Sequence, residues 1–116
     1  MTDKIVVLVT CGSAKEARRV ARALVKARLA ACANVVDTPV RSIYRWKGRV
    51  ESAKEYLLII KTSRQLFAAL QARVKQLHSY DVPEIIAVPI AAGSVNYLRW
   101  LDECVDRPDS KARRRA

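Results

Sequence analysis

The sequence predicts an α+β domain with the element order β-α-β-β-α-β and one further helix at its carboxyl end. Two observations predict this order. Short β-branched runs alternate with segments of helical period, and a long stretch rich in aromatic and β-branched residues folds back at Lys47-Gly48. The order is that of the ferredoxin-like split β-α-β sandwich, in which an antiparallel sheet carries two helices on one face.

The first third of the chain gives a strand, a helix and a second strand. Residues 4–11 are almost continuously apolar, as in a central strand covered on both faces. A helix begins after Ser13, because Glu16 completes a capping box and a buried stripe of helical period follows. A second strand spans residues 31–36 and is interrupted at 37–39, where a proline lacks a donor for the strand ladder.

Residues 41–61 form the longest predicted element, a β-hairpin that turns at Lys47-Gly48. The turn type stays open, since a type I′ turn also needs a positive φ at the lysine. The predicted register opposes Trp46 to Arg49, Tyr44 to Glu51 and Ile43 to Ser52. One face near the tip then carries aromatic residues beside charges. We expect this long hairpin to lie against another copy of the chain, because an exposed strand edge invites uncontrolled pairing.

The second half of the chain adds a helix, a strand and a last helix. Thr62 or Ser63 caps the second helix, which ends near His78. Residues 85–90 form the last core strand, part of which a proline places at a sheet edge. Ser94 caps the third helix. Because the predicted strands are apolar on both faces and two helices cover only one, the second face needs a partner subunit.

Length and charge limit the classes of function. A chain of 116 residues holds one domain, which we place at 1–107, followed by a disordered basic tail at 108–116. No apolar run is long enough to span a bilayer, so we expect a cytoplasmic protein without a membrane partner. The net charge of +11 invites nucleic-acid binding, but four of the positive charges lie in the tail and the rest are spread. Nucleic-acid binding is therefore not expected as the main function.

The candidate chemical groups are few. Three cysteines without a Cys-x-x-Cys pair predict reduced thiols; we expect Cys11 to be the most exposed, and Cys32 and Cys104 to be small buried hydrophobes. The single histidine, His78, is either a hydrogen-bonded residue at a helix end or a metal ligand. With a thiolate nearby, across a subunit boundary, it would favour copper or zinc. No motif predicts a catalytic residue, so an enzyme is not expected.

A set of polar and aromatic residues forms a second candidate site. These side chains line either a wet ligand cleft between subunits or the rim of an interface. The set consists of Tyr44, Trp46, Lys61, Tyr80, Glu84 and Trp100.

Five motifs in order resemble the CutA divalent-cation-tolerance family, and the resemblance covers nearly the whole chain to Val105. They are LAACAN at 29–34, SIYRWKG at 42–48, YLLIIKT at 56–62, HSYDVPEI at 78–85 and YLRWL at 97–101. The resemblance implies a homotrimer of ferredoxin-like subunits, similar in architecture to PII-type signalling proteins, with long hairpins that pair between subunits. It also implies tolerance to copper and other divalent metals.

The family's copper ligands carry over only in part. Some bacterial members resemble a copper-binding protein that uses a cysteine at the end of the first strand and a His-His pair before a Pro-Glu loop. His78 matches the second histidine, Leu77 stands at the first, and Val9 stands at the cysteine, with Cys11 two residues later.

The leading hypothesis is therefore a non-enzymatic homotrimeric divalent cation tolerance protein with weak binding of copper or another divalent ion near His78. The alternative is a PII-like sensor that holds a small anionic ligand in its inter-subunit clefts with Lys61. A third hypothesis is a structural trimer for a protein partner that the residues do not identify.

Overall fold

The computed structural model describes residues 2–106, and its element order confirms the predicted α+β class. The elements are β1 (Lys4–Cys11), α1 (Ala14–Lys26), β2 (Cys32–Val35), β3 (Val40–Trp46), β4 (Arg49–Ser63), α2 (Phe67–Leu77), β5 (Ile85–Pro89) and α3 (Val95–Cys104). The interruption predicted at 37–39 separates β2, the second predicted strand, from β3, the first arm of the predicted hairpin. Met1, Arg107 and the predicted tail at 108–116 lie outside the described residues. Within residues 2–106 no helix is long and apolar enough to cross a membrane.

The sheet is antiparallel, with the strand order β2-β4-β1-β5, and β3 pairs with the outer half of β4. Helices α1 and α2 cover one face, because their apolar stripes pack on the alternate residues of β1 and β4 that point toward them. This core includes Val7, Val20, Leu58, Ile60 and Leu70, all fully buried. Burial of one helix-facing layer fixes the register of the central strands, since a shift by one residue would expose the whole layer.

The hairpin formed by β3 and β4 has the predicted register, with Trp46 opposite Arg49 and Tyr44 opposite Glu51. Lys47 and Gly48 have φ of 49° and 79°, which are the two positive values of a type I′ turn. The sequence left the turn type open. The structure has a type I′ turn, whose twist matches that of the two strands, although its first central position is a lysine. The hairpin projects from the domain, whose extents are 50 × 32 × 25 Å.

The sheet face opposite α1 and α2 is largely apolar. The strand register places six aliphatic side chains there: Val6, Leu8, Leu57, Ile59, Ile86 and Val88. Ile86 and Val88 are 50% and 47% exposed. Helix α3 covers one end of this face, where its Asp102 accepts a hydrogen bond from Lys4 Nζ at 2.9 Å. The remainder has no cover within the described residues.

One predicted helix start, that of α2, differs from the structure. β4 continues through Thr62 to Ser63, and a short 3-10 turn, Arg64–Leu66, comes before α2. Neither predicted cap is used, because Thr62 Oγ1 donates to the Leu29 carbonyl at 2.7 Å and Ser63 makes no side-chain cap bond. Ser94 occupies the N-cap position of α3, but its side chain makes no cap bond. The apolar pairing of the strand with β1 therefore outweighs local capping preference at the end of β4.

Candidate functional site

A thiol, a carboxylate and an imidazole meet where β1 ends. One ligand atom from each of Cys11, Glu16 and His78 lies within 4.8 Å of the other two. Cys11 is the last residue of β1, Glu16 lies in the first turn of α1, and His78 follows the last turn of α2. The three helix and strand ends converge because both helices pack on the same face of the sheet. We call this set the Cys11 cluster.

Hydrogen bonds fix the orientation of the His78 ring. Its Nε2 lies 2.7 Å from the Thr10 carbonyl oxygen, which only accepts, so Nε2 is the donor. The Tyr80 backbone N–H donates to Nδ1 at 3.1 Å, so Nδ1 carries a lone pair. Glu16 Oε1 lies 3.5 Å from the same Nδ1. A ring held by a carbonyl on one nitrogen, with a lone pair on the other, is the arrangement that metal-binding histidines use.

Cys11 differs from its predicted exposure. It is fully buried, because its position in β1 points toward the helices, whereas Cys32 and Cys104 are half-buried rather than buried. Burial raises the pKa of the Cys11 thiol to about 12, and the negative charges of Glu16 and Glu55 add to the rise. The thiol is thus protonated at neutral pH and becomes a ligand only when a cation displaces its proton. All three cysteines are unpaired, as predicted.

Glu16 is a site residue that the sequence pattern assigned to another role. Ser13 Oγ accepts from the Glu16 backbone N–H at 3.1 Å, as a capping box predicts. The Glu16 carboxylate does not return to the cap but accepts from the Ser79 backbone N–H at 3.4 Å. Only the packing of α1 beside the end of α2 makes this partner available, and no signal in the sequence shows it.

A cavity of about 540 Å³ lies on the opposite sheet face, beneath the hairpin. It is lined by Thr10, Ser42, Ile43, Tyr44, Trp46, Glu55, Tyr80, Asp81, Val82 and Glu84. Three of the lining residues from β3, namely Ser42, Tyr44 and Trp46, lie on the same face of the hairpin as Glu55 in the strand register. We call this space the hairpin cavity.

Tyr80 connects the Cys11 cluster with the hairpin cavity. Its backbone N–H donates to His78, and its hydroxyl donates to Glu55 Oε2 at 3.0 Å. Burial and this hydrogen bond raise the pKa of Tyr80 to about 12, so the phenol stays a donor at neutral pH. A Cβ at Gly12 would lie 3.2 Å from the Tyr80 hydroxyl, so the glycine makes this close approach possible. A change in either site can therefore reach the other through one residue.

The structure brings together four of the six residues predicted for a cleft. The hairpin cavity, which is formed within one chain, is lined by Tyr44, Trp46, Tyr80 and Glu84. Lys61 lies apart from them on β4 and donates to Asn34 Oδ1. Trp100 packs on Tyr97 of α3, with ring centroids 5.5 Å apart. The sequence pattern missed Glu55 and Asp81, whose places beside the aromatic residues depend on the strand register and on the loop after α2.

The similarities to known proteins extend over most of the chain and are not limited to the residues of the two candidate sites. The model of a family described as CutA1 divalent ion tolerance protein matches residues 5–104. The divalent-cation tolerance protein CutA of Thermus thermophilus is 53% identical over 98 residues, which cover 84% of this chain and 94% of the relative. The chloroplastic CutA 1 of rice is 46% identical over 97 residues, again 84% of this chain. This chain spans about half of that longer relative, 54% of its length.

The fold has solved counterparts. A structure titled as the periplasmic divalent cation tolerance protein CutA from Archaeoglobus fulgidus superposes with a TM-score of 0.85 at 39% sequence identity. The superposition covers 89% of this chain and 99% of that one.

Proposed function

The chain belongs to the CutA1 divalent ion tolerance family, and from that premise we propose that it is a non-enzymatic protein that holds a copper ion at Cys11, Glu16 and His78. The single observation that carries the proposal is the Cys11 cluster, with three ligand atoms within 4.8 Å of one another. A thiolate sulfur, an imidazole nitrogen and a carboxylate oxygen suit copper or zinc better than calcium or magnesium. The Thr10 carbonyl would hold the imidazole in the ligand orientation.

The residues fit a weak site rather than a tight one. The ion must displace the proton of Cys11, whose pKa is raised to about 12. It must also displace the Tyr80 N–H from His78 Nδ1. Both steps oppose binding at neutral pH, which agrees with transient handling of an ion. In contrast to the expected site across a subunit boundary, all three ligands come from one protomer.

Calorimetric titration with copper and zinc tests this proposal. We expect one ion per protomer, with affinity lowered at least about tenfold by Cys11→Ser and by His78→Ala, since each removes one of three ligands. Cys104→Ser is the matched control, because that thiol lies outside the cluster. Equal affinity of the wild-type, Cys11→Ser and His78→Ala proteins for these ions would refute the proposed site.

The non-enzymatic part of the proposal is supported by the sequence, in which no motif predicts a catalytic residue. A cytoplasmic location is supported by three unpaired cysteines, since reducing compartments keep thiols free. Cell fractionation with an antibody to the chain would test the location.

We further propose a homotrimer, as the family resemblance implies. The uncovered apolar sheet face and the projecting hairpin support assembly, because monomers rarely expose a contiguous patch of this kind. Light scattering of the purified protein should give three times the mass of 13.0 kDa. Val88→Lys should lower that mass at micromolar concentration, since it would place a charge in the apolar face. A monomeric wild-type protein would refute this assembly.

The second candidate, a sensor for a small anion, gains less support from the geometry. The hairpin cavity is lined by three carboxylates, and Lys61 is bound to Asn34 outside it. Such a sensor would have to use the region around Lys61. Thermal-shift screening with nucleotides and organic acids tests it, because a ligand of the native state raises the midpoint of unfolding.

A further inference from the structure

Five basic residues form one stripe along the outer side of α1. The stripe consists of Lys15, Arg18, Arg19, Arg22 and Lys26, all of them exposed. Their spacing of i, i+3, i+4, i+7 and i+11 places them within about 100° of one another around the helix axis. The four buried residues of α1 lie on the opposite side, against the sheet. We call this set the α1 basic stripe.

The charges of the stripe are not neutralised by neighbouring side chains. Among residues 2–106 no carboxylate lies within ion-pair distance of any of the five. The one acidic residue of α1, Glu16, is half-buried and accepts a hydrogen bond from the Ser79 backbone N–H. The neighbouring helix α2 contains Arg73 and Lys75 and no acidic residue. Positive charge therefore extends over the helix layer.

The stripe opposes the stability of its own helix. Three of its pairs stand four residues apart, and like charges at this spacing repel each other on a helix surface. They are Lys15 with Arg19, Arg18 with Arg22, and Arg22 with Lys26. An alternation of acidic and basic residues would keep the helix equally well solvated without this repulsion. Solvation alone therefore does not explain the uniform sign of the charges.

The stripe lies on the side of the molecule that the proposed assembly leaves outside. Helices α1 and α2 cover one face of the sheet. The surfaces proposed to join the protomers are the hairpin and the opposite, apolar face of the sheet. The stripe belongs to neither surface, so its exposure is the same in the single chain and in a homotrimer assembled in this way.

The geometry of the stripe fits a nucleic-acid duplex better than other polyanions. From Lys15 to Lys26 the helix rises by about 16 Å, close to five base-pair steps of about 3.4 Å. Guanidinium groups bind phosphates through two parallel hydrogen bonds. Helix α1 has no aromatic residue on which unpaired bases could stack. Its one large apolar side chain at the surface, Val25, is 40% exposed, which is too little to enter a membrane or to anchor a protein partner.

We propose that the α1 basic stripe binds the phosphate backbone of a nucleic-acid duplex, without preference for the base sequence. Contacts with phosphates position a protein on a duplex but do not read its bases. The expectation that nucleic-acid binding is not the main function is unchanged. The stripe contains no residue of the Cys11 cluster, so the proposal does not depend on metal binding.

Fluorescence anisotropy with a labelled DNA duplex of about 20 base pairs tests the proposal. The full chain in its native assembly is titrated into the probe, with EDTA present, at NaCl concentrations from about 0.05 to 0.2 M. We expect a micromolar dissociation constant at the lowest salt. The logarithm of the affinity should fall with the logarithm of the salt concentration with a slope of about −4.5, or about −0.9 for each of five phosphates. An unlabelled duplex of another sequence should compete equally well.

A triple variant locates the binding on the stripe. Arg18→Gln, Arg22→Gln and Lys26→Gln together should lower the affinity at least about tenfold and make the salt slope shallower by about 3. Arg19 is kept, because its Nη2 donates to the Leu77 carbonyl of α2 at 2.9 Å. Glutamine has about the helix propensity of arginine and lysine, and the change relieves repulsion. The variant should therefore unfold at the same or a higher temperature than the wild-type protein, and a lower temperature would contradict the repulsion within the stripe.

The matched control removes the same number of charges elsewhere in the chain. Arg113→Gln, Arg114→Gln and Arg115→Gln together lower the net charge of +11 by three, as the stripe variant does. We expect this control to bind the duplex within about threefold of the wild-type affinity. An equal loss of affinity in the two triple variants would assign the binding to net charge and overturn the proposal.

Three other results would also overturn the proposal. The first is no binding of the duplex by the wild-type protein at the lowest salt. The second is tighter binding to vesicles of equal parts phosphatidylserine and phosphatidylcholine, and the third is competition by polyglutamate as effective as that of the duplex at equal charge. Cys11→Ser should bind the duplex as the wild-type protein does. The nucleic-acid proposal and the metal proposal therefore stand or fall separately.

Discussion

Lys4 is the residue whose replacement tests the energetics of the fold most directly. Its ammonium, with a side chain only 5% exposed, lies 2.8 Å from Asp3 Oδ1 and 2.9 Å from Asp102 Oδ1. A hydrogen bond to a charged group contributes about 1.5–3 kcal/mol when buried. The acceptors are 53% and 36% exposed, so solvent screening places both contacts at or below the low end of that range. We expect Lys4→Met to lower the free energy of unfolding by about 2 kcal/mol.

Urea unfolding measures this difference, with both proteins at the same concentration because the stability of an oligomer depends on concentration. Lys75→Met on the exposed side of α2 is the control, with an expected change within about 0.5 kcal/mol. A double-mutant cycle with Asp102→Asn should give a coupling of about 1 kcal/mol. A Lys4→Met protein as stable as the wild type, with no coupling to Asp102, would refute the account.

The pH dependence of the same contact has a definite sign. The hydrogen bond from Lys4 holds the pKa of Asp3 below its ordinary 3.8. For Lys4, burial opposes the charge, but the bonds to Asp3 and Asp102 prevail and raise its pKa above 10.5. The contribution of Asp3 to the free energy of unfolding is fully present above pH 3.8 and is lost as pH falls through its lowered pKa. That of Lys4 is present below pH 10.5 and is lost as pH rises through its raised pKa. The difference in free energy of unfolding between the wild-type and Lys4→Met proteins should therefore be largest between pH 3.8 and pH 10.5.

Three further predictions concern the turn, Tyr80 and the Cys11 cluster. Gly48→Ala should lower the free energy of unfolding, measured by thermal denaturation, by about 1 kcal/mol, because φ is 79° there. Lys47→Asn should instead raise the free energy of unfolding by roughly a few tenths of a kcal/mol, because asparagine favours a type I′ turn. Tyr80→Phe should remove a component near pH 12 from the alkaline absorbance titration, and an unaltered titration would contradict the bond to Glu55. Copper affinity should rise with pH from 6 to 9 because Cys11 must lose its proton; in Cys11→Ser the rise should be shallower.

Much of the fold could be predicted because its signals are local. The β-branched run of β1, the helical period of α1 and the fold-back at Lys47-Gly48 each identify one element without reference to the others. The boundary before α2 could not be predicted in this way. Thr62 and Ser63 are good helix caps, but pairing with β1 extends the strand through both of them.

The sites were less accessible to prediction. His78 and four cavity residues could be named because single histidines and amphipathic aromatic residues are informative by type. Cys11 was expected at the surface because a glycine follows it, yet the alternation of side chains along β1 turns it inward. Glu55 was missed, since a glutamate in a charged hairpin resembles its exposed neighbours.

The sequence by itself determined the order of elements, the hairpin register and the family, because these depend on periodicity, turn residues and motifs that lie close together along the chain. Only the tertiary structure decided which groups meet. His78 is more than 60 residues from Cys11 and Glu16 in the sequence, and the packing of two helices on one sheet face brings it to them. The burial of Glu55 beneath the hairpin depends likewise on contacts between β1, β4 and the loop after α2. Such distant contacts leave no local pattern, because each residue's chemistry depends on neighbours that folding supplies.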